Sequence, residues 1–131
     1  MKYLHETEIE EKAVPGRFLR WVAAKGAGLD PECLSCCVMR VLPGETVSPA
    51  HEHPDGEELL YFVRGSGHVY VDGKICAVRE GSLVLFEKGS VHMVRNSGCE
   101  VMKVVCFFAP ATSLGEYVFH PDVDFDEGVH V

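Results

Sequence analysis

Glycine, proline, asparagine and aspartate punctuate this chain about every 8 to 12 residues, which leaves little room for a helix and defines a chain of short strands. The breaks fall at Pro15-Gly16, Gly26 to Gly28, Pro43-Gly44, Pro54-Asp55-Gly56, Gly65-Ser66-Gly67, Asp72-Gly73, Gly81, Gly89 and Asn96-Ser97-Gly98. Between them, β-branched and aromatic runs predict strands at about 17–24, 35–42, 57–64, 67–72, 75–79, 82–87, 91–95 and 100–108. No 12-residue stretch carries a helical apolar stripe, so the reading is all-β, a sandwich or a barrel. Asp72-Gly73 suits a tight hairpin, because glycine tolerates the positive φ such turns require. In His68-Val69-Tyr70-Val71-Asp72 the valines share one face and the polar residues the other, which predicts a half-buried strand with His68 on its polar side.

A length of 131 residues fits one domain, and 47% hydrophobic residues suffice for a core. We read residues 1–131 as a single domain, with a core barrel over about 17–109 and a tail over 110–131. Net charge is -8 and no basic run could track a phosphate backbone, so nucleic acid is not the expected partner. No apolar stretch approaches the roughly 20 residues of a membrane span, and Met1 to Glu6 lacks a signal peptide's apolar core. A cytoplasmic location is expected, where cysteines stay reduced. Cys76, Cys99 and Cys106 lie in or beside apolar runs and read as small hydrophobes. Cys33, Cys36 and Cys37 form a C-x2-C-C cluster without the second pair a zinc site would want, and their role stays open. In the tail, Asp122, Asp124 and Asp126 resemble the start of a calcium loop. Glu127 stands where the turn glycine belongs, so a solvated or partner-packed acidic tail is expected.

The chemistry concentrates in Gly44 to Glu58. On a strand, residues two apart point to one side, so His51 and His53 present their imidazoles together. Pro54-Asp55-Gly56 then turns the chain back, and Glu57 or Glu58 can reach the same point. His92, between Val91 and Met93 in a later apolar strand, is the candidate third imidazole. A lone H-x-H is common by chance; the turn, the paired glutamates and the third histidine together make it a candidate metal site. His5, His68, His120 and His130 read as structural or surface residues, although His120 could fold over the barrel mouth.

These segments resemble the two motifs of the cupin family. Gly44, six residues, His51-Glu52-His53, four residues, Glu58, six residues and Gly65 match the first motif, with one residue more than usual before His51. Gly81, five residues, Glu87-Lys88-Gly89, two residues, His92, three residues and Asn96 match the second, with Glu87 in place of a turn proline. Together they span residues 44–96. The resemblance implies a jelly-roll barrel, the double-stranded β-helix, and one divalent metal ion on His51, His53, Glu58 and His92. Counting back from Gly65 favours Glu58 over Glu57, which becomes an exposed or supporting residue.

Three imidazoles and a carboxylate suit Fe, Mn, Co, Ni or Zn, and six-coordination would leave two positions for water, substrate or dioxygen. Strand parity gives Leu60, Phe62 and Val94 to the cavity, with Phe86, Met102 and Phe107 as further walls. No lysine or arginine is required inside, although Arg40 and Arg64 could reach the rim. A small, partly apolar ligand with an oxygen donor is expected. Small cupins include dioxygenases, isomerases, lyases and polyketide cyclases, so the resemblance favours a metal-dependent enzyme, possible oxidoreductases included. A non-catalytic binding or sensing module is the alternative. A homodimer is expected as well, with residues 17–24 as the strand available for pairing.

Overall fold

The structure, a computed structural model, describes residues 1–113 and 116–131. Among these the chain forms β1 (Lys12–Val14), β2 (Arg17–Ala24), β3 (Ala27–Gly28), β4 (Ser35–Val41), β5 (Ala50–Glu52), β6 (Glu57–Arg64) and β7 (Ser66–Val71). It continues with β8 (Lys74–Arg79), β9 (Leu83–Phe86), β10 (His92–Arg95), β11 (Met102–Ala109), β12 (Val118–His120) and β13 (Val129–His130). Among the described residues no helix is long and apolar enough to cross a membrane.

Two sheets face each other. The larger runs β1-β2-β4-β11-β6-β9, with β3 beside β2, and the smaller runs β12-β5-β10-β7-β8-β13. From β4 to β12 the chain alternates between the sheets, save at the β7–β8 hairpin, as in a jelly roll, and alternate side chains meet in the middle. In β6, Glu58, Leu60 and Phe62 are buried while Glu57, Leu59 and Tyr61 are exposed. The strands β4 and β11 contribute Cys37, Met39, Val41, Met102, Val104, Cys106 and Phe108 to the same core. Asp72 and Gly73 both take positive φ, 46° and 86°, the turn geometry that lets β7 fold directly back on β8.

Several expectations change. Residues 17–24 are not a free edge: β1 covers one side of β2 and β4 the other. Residues after 110 run back along the barrel, although Asp122, Asp124, Asp126 and Glu127 stay exposed as expected of an acidic tail. β12 pairs with β5, and β13 pairs with β8, so the tail supplies both margins of the smaller sheet. On the way it lays Phe125 on Tyr70, with ring centroids 5.9 Å apart, under the Arg95 guanidinium at 4.1 Å. Tyr70, Ile75, Met93, Ala50 and Phe125 thereby form a second apolar cluster. The strand His68–Val71 is therefore covered on both faces, and its alternation misreads because the cover comes from 50 or more residues away. Cys76 and Cys99 are exposed, whereas Cys36, Cys37 and Cys106 are buried and Cys33 is outside. Cys76 shares the side of β8 taken by Val78 and pairs with Val69, both core residues, yet stays exposed near the strand's start, and Cys99 sits in the bend after Asn96.

Candidate metal centre

His51 and His92 are brought together by direct strand pairing. They are cross-strand partners in β5 and β10, and their ring centroids lie 4.4 Å apart. His53 follows β5 with its ring 5.4 Å from His51 and 5.1 Å from His92. Glu58 enters from the opposite sheet: the Pro54-Asp55-Gly56 turn carries the chain across, and the parity of β6 points Glu58 inward and Glu57 out. One ligand atom from each of His51, His53, Glu58 and His92 lies within 4.8 Å of all the others, and all four residues are buried.

Two of the imidazoles are oriented as a divalent ion requires. His92 Nδ1 donates to the Ser90 carbonyl at 2.9 Å, and His51 Nδ1 faces the Pro49 carbonyl at 3.3 Å. With Nδ1 protonated against a carbonyl, Nε2 of each ring carries the free lone pair. Ser90 is itself fixed, since its backbone N–H and its hydroxyl both donate to the Glu87 carbonyl. That turn replaces the rigidity a proline would have given at 87. His53 Nε2 donates to Glu58 Oε2 at 2.9 Å. His92 Nε2 lies 3.2 Å from the same oxygen, yet off the hydrogen-bond direction, so it is a buried atom without a partner. An orphaned, buried, lone-pair nitrogen beside a carboxylate fits a missing cation.

Electrostatics agree. Burial, followed by the neighbouring His92, drives the His51 pKa down from 6.5 to about 3, so its ring is neutral near pH 7. Burial alone would push the Glu58 carboxyl up; the His53 and His92 imidazoles against it outweigh that and hold it well below the usual carboxylate range. The site therefore offers a neutral His51 imidazole and a charged Glu58 carboxylate, protonation states that suit a metal.

The surrounding cavity is small, about 20 Å³ of space for a water-sized sphere, roughly one water molecule. Leu60, Phe86 and Val94 line it as expected from parity. Phe86 stacks on His92 at 3.9 Å with 15° between the rings. Phe62 and Met102 are buried in the same core but lie off the cavity, toward the end of the barrel where Met102 packs on Gly65 and Gly67. Phe107 is on the outer face and 42% exposed. Its spacing from Met102 is odd, so the two cannot share a face, and Phe108 holds the inward position.

Two cavity residues were not anticipated. Tyr117, just before β12, stacks on His51 at 5.0 Å and meets the His53 ring edge-on at 4.3 Å. Arg17, the first residue of β2, is 8% exposed and lines the cavity with His51, Glu58 and His92. Arg40 and Arg64 do not reach it: Arg40 is paired with Glu11, and Arg64 lies on the exposed end of β6. His120 binds Glu52 at 2.8 Å across the β12–β5 pair and does not cover the centre. For Tyr117 no local signal existed. For Arg17 the inward parity with Leu19 was readable once β2 was given a covered face.

The family model described as "Cupin domain" matches residues 37–108, more than half the chain. A polyketide synthase, CurC of Streptomyces cyaneus, is 34% identical over 85 residues, covering 63% of this chain and 53% of that protein. The chain spans between 36% and 54% of the length of the curated relatives it matches. A predicted oxalate decarboxylase of Thermotoga maritima superposes with a TM-score of 0.74 at 18% identity, over 82% of this chain and 98% of that one. The polyketide cyclase RemF of Streptomyces resistomycificus gives 0.70 at 18% identity, over 88% and 89%. At such identity the structural likeness is one of fold.

Proposed function

The chain belongs to the cupin family, and from that premise we propose that it is a metal-dependent enzyme acting on a small organic molecule. The ion is held by His51, His53, Glu58 and His92. The observation that carries the reading is the orphaned His92 Nε2, aimed with the His51 ring at a buried, ionised Glu58. The neighbours that bear enzyme names, among them the cyclase and the predicted decarboxylase, support a catalytic over a purely binding role. A divalent ion bound there supplies Lewis acidity toward a ligand oxygen, and iron would add dioxygen chemistry. The protein's own contribution is orientation and exclusion of water. Carbonyls at Pro49 and Ser90 fix two imidazoles, while Leu60, Phe86, Val94, Phe108 and Tyr117 keep the surroundings apolar.

Elemental analysis of anaerobically purified protein, followed by turnover and oxygen-uptake assays with the metal found, tests this. Stoichiometric Fe, Mn, Co, Ni or Zn with turnover above the free ion is expected. Metal retention with no turnover across phenols, diketones, thiols and small acids would favour a binding or sensing module.

We further propose a homodimer, located away from β2. Phe107, Leu59 and Leu85 form one outward row across β11, β6 and β9, and Val105, Tyr61 and Leu83 form the next. Leu83 is 64% exposed and lies on β9, which has no further strand beside it among the described residues. A second copy placing its own β9 alongside covers edge and rows together, as a two-fold interface does. Sedimentation should give a dimer at micromolar concentration and a monomer for Leu85→Arg; a wild-type monomer would refute it.

A further inference from the structure

Arg17 is a buried cation to which the metal reading gives no task. The Pro15-Gly16 turn sets it in place: Gly16 has φ +76°, and a Cβ there would sit 1.8 Å from the Thr46 carbonyl oxygen, so only glycine lets β2 begin this close to residues 46–47. From that start Arg17 follows the inward parity of Leu19 into the cavity. Its guanidinium donates to the Pro15 carbonyl at 3.0 Å. Among the described residues it has no carboxylate within salt-bridge distance; the cavity's one acid, Glu58, accepts from His53. Arg40 and Arg95 are paired, with Glu11 and Asp126, while Arg20 further along β2 has no ion pair among the described residues but lies outside this cavity.

A guanidinium largely withdrawn from water without a counter-charge is disfavoured. It offers up to five N–H donors, and one accepting carbonyl leaves the fork largely unused. With a divalent ion in place, the charges inside the cavity are the ion, Arg17 and a single carboxylate, a clear positive excess in apolar surroundings. Such a cavity is completed by an anion. A carboxylate matches the guanidinium fork in shape as well as charge. Nothing in the cavity supplies a second basic side chain, which disfavours a phosphate.

We propose that Arg17 is an anion subsite beside the metal centre, and that the molecule this protein takes is a small carboxylate, its charged end on Arg17 and a second oxygen toward His51, Glu58 and His92. The inference rests on the proposed metal centre and names the substrate class for it. The free cavity is about one water in size, so the ligand is compact and displaces the Tyr117 ring on entry.

The test uses Co(II)-loaded full-length protein, with binding followed by calorimetry and by the visible spectrum of the cobalt. Glycolate and glycolamide are the probes, since they match in size and hydroxyl position and differ in charge. Wild-type protein should prefer glycolate by at least about tenfold. Arg17→Gln should lose about tenfold or more for glycolate and change little for glycolamide, at unchanged Co(II) affinity. Arg17→Lys, which keeps the charge, should recover part of the loss. Melting curves show whether each variant folds, and the wild-type preference is decisive even where Arg17→Gln does not. Wild type that binds Co(II) but does not distinguish the probes, or a glycolate affinity indifferent to residue 17, overturns the anion subsite and leaves the metal centre standing. Failure of the wild type to bind Co(II) overturns the metal centre itself.

Discussion

The two motif segments and the two ends of the chain contribute to the same cavity in different ways. Residues 49–58 and 87–96 supply the donors, and most of their geometry is local: a strand spacing, a turn, and a backbone carbonyl two residues from each of two histidines. Arg17 and Tyr117 come from the flanks and supply one cation and one aromatic wall, through contacts made only after the barrel has closed. The orientation of each donor is thus a short-range property of this sequence, while their convergence rests on the β5–β10 pairing and what they act upon on the flanks.

This division predicts a hierarchy of effects. His51→Ala should reduce metal affinity by more than the roughly 10–100-fold typical of losing a mere supporting partner, with the barrel still folded. Competition with a chromophoric chelator measures the first and circular dichroism the second. Unfolding of that variant would mean that the ion holds the fold together and that the two regions are not separable.

Acid should act next, through the same segment. In metal-free protein His51 stays neutral down to about pH 3, whereas in the unfolded chain it takes up a proton near pH 6.5. The unfolded state binds more protons in that window, so stability is fully present above it and falls as pH drops from about 6.5 toward 3. Urea melts across that range should show the slope, and His51→Gln should flatten it.

At the flank, Tyr117→Ala should cost about 1–3 kcal/mol in stability while metal affinity changes by no more than a few-fold. A larger metal effect would show that the ring over His51 orients the donor, which erases the distinction between wall and ligand. The smallest effect is expected at Glu11 and Arg40, a half-exposed bidentate pair joining the N-terminal segment to β4. Its hydrogen bond with Arg40 holds the Glu11 carboxyl below its ordinary value, so the stabilisation exists above about pH 4.5 and is lost as pH falls through the lowered value. Glu11→Gln should cost under about 1 kcal/mol at pH 7 in a denaturant melt.

What could be read from the sequence follows the same line. The inward Leu60, Phe62 and Val94 follow from period-two parity and Glu58 over Glu57 from the motif spacing to Gly65, whereas the register that sets His51 against His92 shows only in the folded sheet. Phe107 was misplaced because parity was not carried through from Met102, where a bulge between Lys103 and Val104 in the pairing with β6 does not alter it. The exposure of Cys76 and Cys99 was not legible, because an apolar neighbourhood in sequence does not say where the barrel's cover ends: Cys76 faces the side of Val69 and Val78 near a strand end, and Cys99 lies in a bend. Tyr70 and the tail strands had no local sign at all: Phe125 covers Tyr70 only because the chain returns across a finished sheet.

That return gives one segment both margins of the smaller sheet, β12 beside Ala50–Glu52 and β13 beside Lys74 and Ile75. Margins on opposite flanks, which ordinarily fray independently, are here fastened by a common strap. Amides along the two flanks should therefore exchange with deuterium as one unit, at one opening frequency. A perturbation that loosens His130 would then be felt at His51, on the far side of the sheet.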